Sequence, residues 1–498
     1  MLLSWRVSSG LLAMIDVHGR RVRRGLTIAV AVFLCAVSPL QADAQTSATE
    51  TQLLSSPNPS TVGQKVTFTA NVDGLGGGAP NGKVTFRDGG AELGKVRLQF
   101  IGTGQAMLAQ EILHACAVTD TGGVRCWGNN PNGQLGNGTT KKSNVPVNVT
   151  GLSSGAVAVT AGANHSCALM RTGQVKCWGS NGDGQLGDGT RTDRHVPVDV
   201  TGLSDVIAIA AGYDHTCALT RAQRVFCWGA DGFDALGDGG ASGVYSAVPV
   251  SSGPGTYVAL TAGAYHTCAI AGDARVECWG SNYFGQLGLG TTGYTGRGFA
   301  EDLTNVVAVA GGEFHTCALK ADGTVACWGN NQDGQLGDGS KTNRSAPQLV
   351  QGLAPATAVV AGEFHTCTAS RAGGAECWGE NGAGQLGDGT RIQRLSPVSV
   401  AGLSGGVVAM STGGFSSCAL NSTGGLVCWG GNAVGELGDG SNTRSSTPVQ
   451  TKHFTGLVRT RAKFAISTLG SGTHTLTAKF PGDALHSGSS ATLSQTVN

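Results

Sequence analysis

The sequence predicts an all-β protein in which seven repeats form a closed ring of small sheets, a seven-bladed β-propeller. A Cys-Trp-Gly tripeptide recurs seven times in the 498 residues at spacings of 49 to 51. A period of about 50 residues is typical of propellers and solenoids, because one small sheet buries its apolar face only against a neighbour. Each unit also contains four short strand-like segments, and seven four-stranded sheets around an axis leave few edges exposed.

The N-terminal residues have the pattern of a secretory signal. Four arginines precede an apolar run from Leu26 to Leu40, and Ala42-Asp43-Ala44 follows it. Basic residues, a short apolar core and small residues at positions −3 and −1 predict that residues 1–44 are a signal peptide. A retained anchor is the alternative, although the run is short for a membrane span. We expect a periplasmic, cell-surface or extracellular protein with no membrane insertion after signal removal.

Export makes disulfides the expected state of the cysteines, with reduced, buried thiols as the alternative. Fourteen of the 15 cysteines form pairs ten residues apart. In a hairpin with loop 321–323, Cys317 faces Cys327 as a non-hydrogen-bonded pair, at a Cα distance of about 4.5 Å that suits a disulfide. The predicted disulfides are Cys116 with Cys126, Cys167 with Cys177, Cys217 with Cys227, Cys268 with Cys278, Cys317 with Cys327, Cys367 with Cys377, and Cys418 with Cys428.

The third residue of these hairpin loops indicates the turn type. It is glycine in five copies, which suits the left-handed conformation that a three-residue loop requires. Gln223 and Ala274 stand there in copies three and four. We therefore expect a different turn in those two hairpins.

Two repeated patterns resemble metal sites. A histidine precedes the first cysteine by two residues in six copies, and His with two Cys would offer zinc ligands. A structural histidine bonded to the neighbouring backbone explains six equivalent copies better. The segment from Asn181 to Gly184 resembles the end of a calcium loop but lacks the carboxylate and closing glutamate of that motif. The sequence therefore predicts no metal and no cofactor.

Composition and motifs narrow the function. Lys and Arg number 33 against 32 acidic residues, which gives no electrostatic reason to expect nucleic-acid binding. No Ser-His-Asp order, acid pair or phosphate loop stands out, so we do not expect an enzyme. Groups present in every copy serve the fold, and function is expected where the copies differ.

The copies differ just before the repeated histidine. Each of copies four to seven has an aromatic residue there. One residue earlier, copy three has a tyrosine and copies five and six have a glutamate. Exposed aromatics are enriched in binding hot spots, whereas packing between blades is the alternative. The predicted partner-binding residues are Tyr213, Tyr265, Phe314, Phe364, Phe415, Glu313 and Glu363. A second irregular segment, residues 291–302, replaces the usual Pro-containing strand and is either a binding loop or a drifted repeat.

The pattern Ala-Gly-x-x-His-Thr-Cys-Ala-Leu, followed by Gly-x-Val-x-Cys-Trp-Gly and Gly-Gln-Leu-Gly-Asp-Gly, resembles the regulator of chromosome condensation repeat over about residues 105–455. The family fold is a seven-bladed β-propeller. The resemblance implies three precedents: a nucleotide exchange factor for a nuclear GTPase, a plant UV-B photoreceptor, and a secreted bacterial inhibitor of β-lactamases. The tryptophans of the photoreceptor are missing here, and the secreted inhibitor fits export best.

Residues 51–104 and 458–498 resemble the two halves of a bacterial Ig-like domain of the surface-adhesin type. SSPNPSTVGQKVTFTA resembles the opening of that family, and STLGSGTHTLTAKFPGD resembles its close. Neither half has enough strands for a sandwich, so we predict one Ig-like β-sandwich split by a propeller over residues 105–457. Two unpaired flanking segments are the alternative, and residues 105–110 belong either to the ring or to its host.

These observations predict an exported, non-enzymatic protein-binding or adhesion protein. Its propeller face would be the recognition surface for a protein or cell-surface partner, with no nucleic acid bound. The alternative that the resemblance implies is a guanine-nucleotide exchange or regulatory protein of the chromosome condensation regulator type.

Overall fold

The structure is a computed structural model, and its regular elements are all β-strands in the residues that it describes. These are residues 48–75, 83–97, 99–100, 107–239, 243–249, 256–456, 458–482 and 487–498. The predicted signal peptide, residues 1–44, lies outside them. Within these ranges no helix reaches the length and hydropathy needed to cross a membrane.

The strands fall into a ring of seven blades and two flanking groups. Five strands precede the ring: β1 (Ala48–Ser56), β2 (Val66–Leu75), β3 (Lys83–Asp88), β4 (Ala91–Arg97) and β5 (Gln99–Phe100). Blade 1 has β6 (Leu108–Gln110), β7 (His114–Val118), β8 (Val124–Gly128) and β9 (Ser143–Asn148); blade 2 has β10 (Ala156–Ala161), β11 (His165–Met170), β12 (Val175–Gly179) and β13 (Arg194–Asp199). Blade 3 has β14 (Val206–Ala211), β15 (His215–Thr220), β16 (Val225–Gly229) and β17 (Val244–Pro249); blade 4 has β18 (Tyr257–Ala262), β19 (His266–Ala271), β20 (Val276–Asn282) and β21 (Gly293–Phe299). Blade 5 has β22 (Val306–Gly311), β23 (His315–Lys320), β24 (Val325–Gly329) and β25 (Arg344–Leu349); blade 6 has β26 (Ala356–Ala361), β27 (His365–Ser370), β28 (Ala375–Gly379) and β29 (Arg394–Ser399). Blade 7 has β30 (Val407–Thr412), β31 (Ser416–Asn421), β32 (Leu426–Gly430) and β33 (Ser445–Gln450), and three strands follow the ring: β34 (Val458–Ile466), β35 (Gly472–Phe480) and β36 (Ser489–Val497).

Each blade is an antiparallel sheet whose strands lie in sequence order. The first strands of all seven blades line one axial cavity, so they are the innermost strands. The segments with proline, such as β13, are the fourth strands, at the edge where proline removes no ladder hydrogen bond. The seven sheets confirm the predicted propeller class. Residues 291–302 include β21, which completes blade 4 as its fourth strand.

In every blade the paired cysteines lie directly opposite each other on the second and third strands. Cys317 pairs with Cys327 in the register of β23 and β24, and the other six pairs are equivalent. Their sulfur atoms are 1.96 to 2.12 Å apart and their Cα atoms 4.0 to 4.1 Å apart, so each blade holds one disulfide within one hairpin.

The turn expected to change in copies three and four does not change. Gln223 and Ala274 have φ values of 62° and 65°, in the same left-handed region as Gly323 at 94°. Ala274 N–H donates to Ala271 O at 2.9 Å, as Gly323 N–H donates to Lys320 O at 2.9 Å. The sequence expectation was wrong because the flanking ladder fixes the turn, and the non-glycine residues adopt a costly conformation to fit it.

The repeated histidines join neighbouring blades. The Thr216 hydroxyl donates to the Gln185 carbonyl at 3.0 Å, so it accepts the N–H of His165 Nε2, 2.8 Å away. Trp228 Nε1 donates to the same carbonyl at 2.9 Å. Equivalent histidine contacts to Ser or Thr recur at five other junctions, so the predicted backbone partner was wrong: the partner is a hydroxyl of the next blade.

The junction between blades 7 and 1 lacks this histidine contact, because Ser416 and Ala115 replace the histidine and the hydroxyl residue. Trp127 Nε1 still donates to Glu436 O at 2.7 Å. A core cluster that includes Leu108 and Leu420 fills this junction. The ring therefore closes by packing of complete blades. The strand at 108–110 belongs to blade 1, which assigns the uncertain join at 105–110 to the ring from residue 108 onward.

The flanking strands form two further sheets, in the orders β1-β2-β34-β5 and β36-β35-β3-β4. Each sheet contains strands from before and after the ring: β2 pairs with β34, and β3 pairs with β35. One core unites them, with Phe68, Phe86 and Phe480 at most 2% exposed. The predicted split sandwich is thus a single β-sandwich with the ring inserted in it.

Candidate functional site

The predicted partner-binding residues lie in the turns between the first and second strands of the blades. In blade 5, for example, β22 ends at Gly311 and β23 begins at His315, so Glu313 and Phe314 occupy the turn between them. The first strands surround the axis, and these turns therefore ring one end of the axial cavity. Glu111, in the equivalent turn of blade 1, also lines that cavity.

Carboxylates and a tyrosine from different blades meet at this end of the axis. The Tyr213 hydroxyl of blade 3 donates to Glu363 Oε1 of blade 6 at 2.5 Å, which spans the ring. Glu363 is 7% exposed, and one buried oxygen of Glu313, Oε2, has no hydrogen-bond partner in the described structure. We call Glu111, Tyr213, Glu313 and Glu363 the acidic mouth.

Ionisation of the three glutamates in the acidic mouth is unfavourable. Burial, followed by the charges of Glu363 and Glu313, raises the pKa of Glu111 well above its usual value. Burial and the charge of Glu363 raise the pKa of Glu313 to about 7. Burial also raises the pKa of Glu363, although the hydrogen bond from Tyr213 opposes this shift. A cationic group placed here would stabilise the ionised carboxylates.

An aromatic patch adjoins the acidic mouth on blades 3 to 5. Tyr265 is its centre, with ring centroids 5.3 Å from Tyr213, 5.4 Å from Phe233 and 5.7 Å from Phe314. Beyond Phe233, its outer members are Tyr283 and Tyr294, which are 52% and 58% exposed. We define the aromatic patch as Phe233, Tyr265, Tyr283, Phe284, Tyr294 and Phe314.

The structure divides the aromatic residues predicted in copies four to seven into two groups. Tyr265 and Phe314 belong to the patch, whereas Phe364 and Phe415 form a separate pair with centroids 6.3 Å apart. Phe415 is 40% exposed. The predicted residues are therefore partly at the surface and contact one another across blades, which combines the two interpretations that the sequence left open.

Sequence analysis missed Glu111, Phe233, Tyr283 and Phe284, and it included Tyr294 only as part of the irregular segment 291–302. Glu111 stands three residues before its histidine, where the later copies have glycine, and this exception was visible in the aligned repeats. Phe233 and the pair 283–284 lie in the loops after the Cys-Trp-Gly strands. Only the closed ring shows that these loops reach the turn before the histidine of the next blade, as Phe233 reaches Tyr265 and Phe284 reaches Phe314.

Family comparisons match most of the chain. The family model of the RCC1-like domain matches residues 105–405, more than half of the sequence, and that of the regulator of chromosome condensation (RCC1) repeat matches residues 407–436. The model of the bacterial Ig-like domain (group 3) matches residues 53–119.

Individual relatives match shorter stretches in sequence, whereas solved structures cover about 70% of this chain. The ultraviolet-B receptor UVR8 of Arabidopsis thaliana is 30% identical over 181 residues, 36% of this chain and 41% of the receptor. The chain thus spans about two fifths of that relative's length. Human WBSCR16 has a TM-score of 0.60 at 21% identity, covering 68% of this chain and 97% of its own. Prp20p of Saccharomyces cerevisiae, studied for binding to Gsp1p and histones, has a TM-score of 0.59 at 20% identity, covering 72% and 93%. These structural similarities establish the propeller fold.

Proposed function

Because the chain belongs to the RCC1-like domain family, we propose that it is an exported binding protein whose partner docks on the aromatic patch and the acidic mouth. The family supports a protein-interaction or regulatory role. The observation that carries the specific proposal is the continuous aromatic patch, half-exposed at its outer members and in contact through Tyr213 with a cluster of buried and half-buried carboxylates.

The aromatic patch has the properties of a binding hot spot. Its rings contact each other at 5.1 to 6.2 Å between centroids, so their conformations are restrained before a partner arrives. Restrained aromatic rings provide apolar contact area at little cost in conformational entropy. Tyr283 and Tyr294 are the most exposed members of the patch, and we propose that they make the first contact.

The acidic mouth determines the chemistry of the partner. Three glutamates share the end of the axis, and the ionised forms of these groups are disfavoured by burial and by each other. Aromatic faces also attract cations. We therefore propose a protein partner that presents an arginine or lysine side chain from an exposed basic segment.

Export is supported by the disulfides and by the Ig-like host. One disulfide in each of seven blades suits an oxidising compartment, and disulfides of this kind are rare in the cytosol. Intact-mass measurement of the protein from its producing cell, after cell fractionation, tests this part. We expect a chain that begins at Gln45 and is lighter than the reduced form by fourteen hydrogen atoms.

Partner capture tests the binding surface. The purified chain, immobilised, is exposed to envelope and extracellular proteins, and bound proteins are identified by mass spectrometry. Replacing both Tyr283 and Tyr294 by alanine should reduce capture at least tenfold, which corresponds to about 1.4 kcal/mol and is modest for two hot-spot residues. An arginine-rich peptide should compete with capture by the unchanged protein.

The control is Val62→Ala, which removes an exposed apolar side chain, 60% exposed, from the Ig-like domain. Capture should survive this change. If the double tyrosine variant retains the same proteins at the same affinity, the aromatic patch is not the docking surface. If the arginine-rich peptide has no effect, the proposed basic segment is wrong.

A further inference from the structure

A corner that follows the Cys-Trp-Gly strand is built the same way in most blades. In blade 2 the buried Asn181 accepts the Leu186 N–H with its Oδ1 at 3.0 Å. Its Nδ2 donates to Asp188 Oδ1 at 3.1 Å and to the carbonyls of Thr190 and Thr192 at 3.2 and 3.1 Å. The amide group therefore supplies the proton donors that several oxygens of this corner require.

An arginine adds positive charge to the corner in three blades. Arg194 Nη2 lies 2.8 Å from Asp188 Oδ2 in blade 2, and blades 5 and 6 have equivalent arginine–aspartate pairs. In blade 3 the position of Arg194 is taken by Val244, which pairs with Gly229 in the same register. Blade 3 thus lacks the cation that this strand position supplies elsewhere.

Blade 3 also replaces the amide itself. Asp231 stands where six other blades have asparagine, and it is 5% exposed. Its Oδ1 keeps the usual bond, accepting the Leu236 N–H at 3.1 Å. Its Oδ2 therefore takes the place of the amide nitrogen, and this buried oxygen has no hydrogen-bond partner in the described structure. A buried carboxylate oxygen without a donor is costly unless a cation or a proton satisfies it.

Two further carboxylates face this oxygen. Asp234 follows three residues later, where other blades have glycine, and Asp238 is the equivalent of Asp188. Oxygen atoms of Asp231, Asp234 and Asp238 all lie within 4.8 Å of one another. Burial, with Asp238 and Asp234 as neighbouring charges, raises the pKa of Asp231 to about 6. Three acidic groups at this distance oppose one another's ionisation.

The arginine whose charge reaches this corner, Arg297, is shared with another acid. Arg297 of β21 donates to the Gly237 carbonyl at 3.0 Å, and its charge lowers the pKa of Asp234. The same guanidinium also bonds Glu277 Oε1 at 2.9 Å and lies over the Trp279 ring. One arginine thus serves Glu277 as well as this corner, where three carboxylates meet.

We propose that Asp231, Asp234 and Asp238 bind a hard divalent cation of the calcium class. Calcium takes oxygen ligands at about 2.3–2.6 Å, so one ion can contact three oxygens at these separations, with waters completing its coordination. The ion would take the place of the amide donor that asparagine supplies in the six other blades. This proposal departs from the sequence-based expectation of no metal. That expectation rested on the repeat of blade 2, which has Asn181 and Gly184 where blade 3 has Asp231 and Asp234. The ion would also fix the loop that carries Phe233, between two of its ligands.

Calcium binding to the purified chain, freed of metal with a chelator, tests the proposal. Calorimetric titration with CaCl2 at pH 7.5 should show one site, and extracellular calcium modules have dissociation constants of about 0.1–1 mM. Free calcium at about ten times its dissociation constant should raise the unfolding temperature by about 2 °C. Magnesium should bind more weakly, because it requires stricter octahedral geometry and shorter bonds.

The decisive variant is Asp231→Asn, which restores the residue of the other six blades and should fold. We expect it to lose calcium binding and to match or exceed the unfolding temperature of the metal-free original. The matched control is Asp183→Asn, which removes an exposed carboxylate from the equivalent loop of blade 2 and should bind calcium normally. Absence of binding by the original chain, or undiminished binding by Asp231→Asn, overturns the proposal.

Discussion

Ala274 shows how much a single backbone conformation can cost. It holds φ 65° at the loop position where five blades have glycine between 77° and 94°. A non-glycine residue in the left-handed region costs about 1–2 kcal/mol, partly offset because glycine loses more entropy on folding. The position is fixed by the ladder on either side of the loop, so the strain cannot relax locally.

We predict that Ala274→Gly stabilises the protein by about 0.5–1 kcal/mol. The free energy of unfolding in urea, measured for both proteins under the same conditions, checks this value. Ala326→Gly is the control, since Ala326 lies within strand β24 and has no positive φ. That change should destabilise the protein by about the same amount. A destabilising effect of Ala274→Gly would show that the loop is not strained.

Single residues also show what the sequence could and could not reveal. Gly323 predicted its own turn, because glycine is the residue that this conformation favours. The presence of Gln223 and Ala274 predicted a different turn, and this prediction was wrong because the register of the strands overrode the preference of these residues for negative φ. Glu111 was overlooked since its importance depends on the other glutamates, which reach it only across the closed ring.

Neighbouring blades are joined by a repeated polar unit that the sequence predicted only in part. The recurrence of histidine indicated a structural role, yet its partner is the Ser or Thr hydroxyl about 51 residues later. Contacts between repeats cannot be read from the pattern of one repeat. His315, for example, bonds Thr366 at 2.9 Å, while its Nδ1 has no partner in the described structure.

These histidines make stability dependent on pH. Burial lowers the pKa of His165 and of His315 to about 3, with neighbouring histidines contributing, and the other four fall to about 3 or 4. The unfolded chain binds protons near pH 6.5 and the folded chain does not. Their stabilising contribution is therefore complete above about pH 6.5 and is lost as pH falls towards 3 to 4, by up to about 1.4 kcal/mol per histidine per pH unit.

We predict that His315→Gln makes the acid-induced loss of stability less steep by one proton. The glutamine amide can still donate to Thr366, so folding is retained. Urea unfolding between pH 7 and 5 measures the slope of the unfolding free energy against pH. Comparison with the unchanged protein cancels the opposite effect of the acidic mouth. The raised pKa values of that site reduce stability as pH rises through about 4.5 to 7. Gln351→Ala, which changes an exposed side chain that does not titrate, should leave the slope unchanged. An identical slope for His315→Gln would contradict the assignment of a neutral, buried histidine.

At the scale of the whole molecule, the two ends of the ring segment both lie against blade 1. Met107 O accepts the Val118 N–H, and Thr455 O accepts the Asp120 N–H, so both ends of the ring contact the same hairpin. The host strands are equally close at the insertion point, because Phe100 pairs with Thr460 in β5 and β34. Counting strands predicted the split sandwich, but the pairing of β2 with β34 has no local signal in either segment.

We predict that the host folds without the ring. Joining residue 100 to residue 458 through a short Asn-Gly-containing turn converts β5 and β34 into a hairpin and keeps every ladder of the sandwich. Circular dichroism should show a β protein that unfolds cooperatively in urea. A control that lacks β34–β36 should not fold, because each sheet loses strands. Failure of the joined protein to fold would show that the host depends on the ring.

The nesting also determines the order in which the chain is completed during translation. Residues 101–457, the insertion that includes every blade, are made after β5 and before β34, so the first host strands emerge long before their partners. A nascent or truncated chain that ends before Val458 leaves apolar residues such as Phe68 and Phe86 without the strands that cover them. Proteases recognise such exposed segments. The sandwich can therefore be completed only after β34, β35 and β36 have been synthesised.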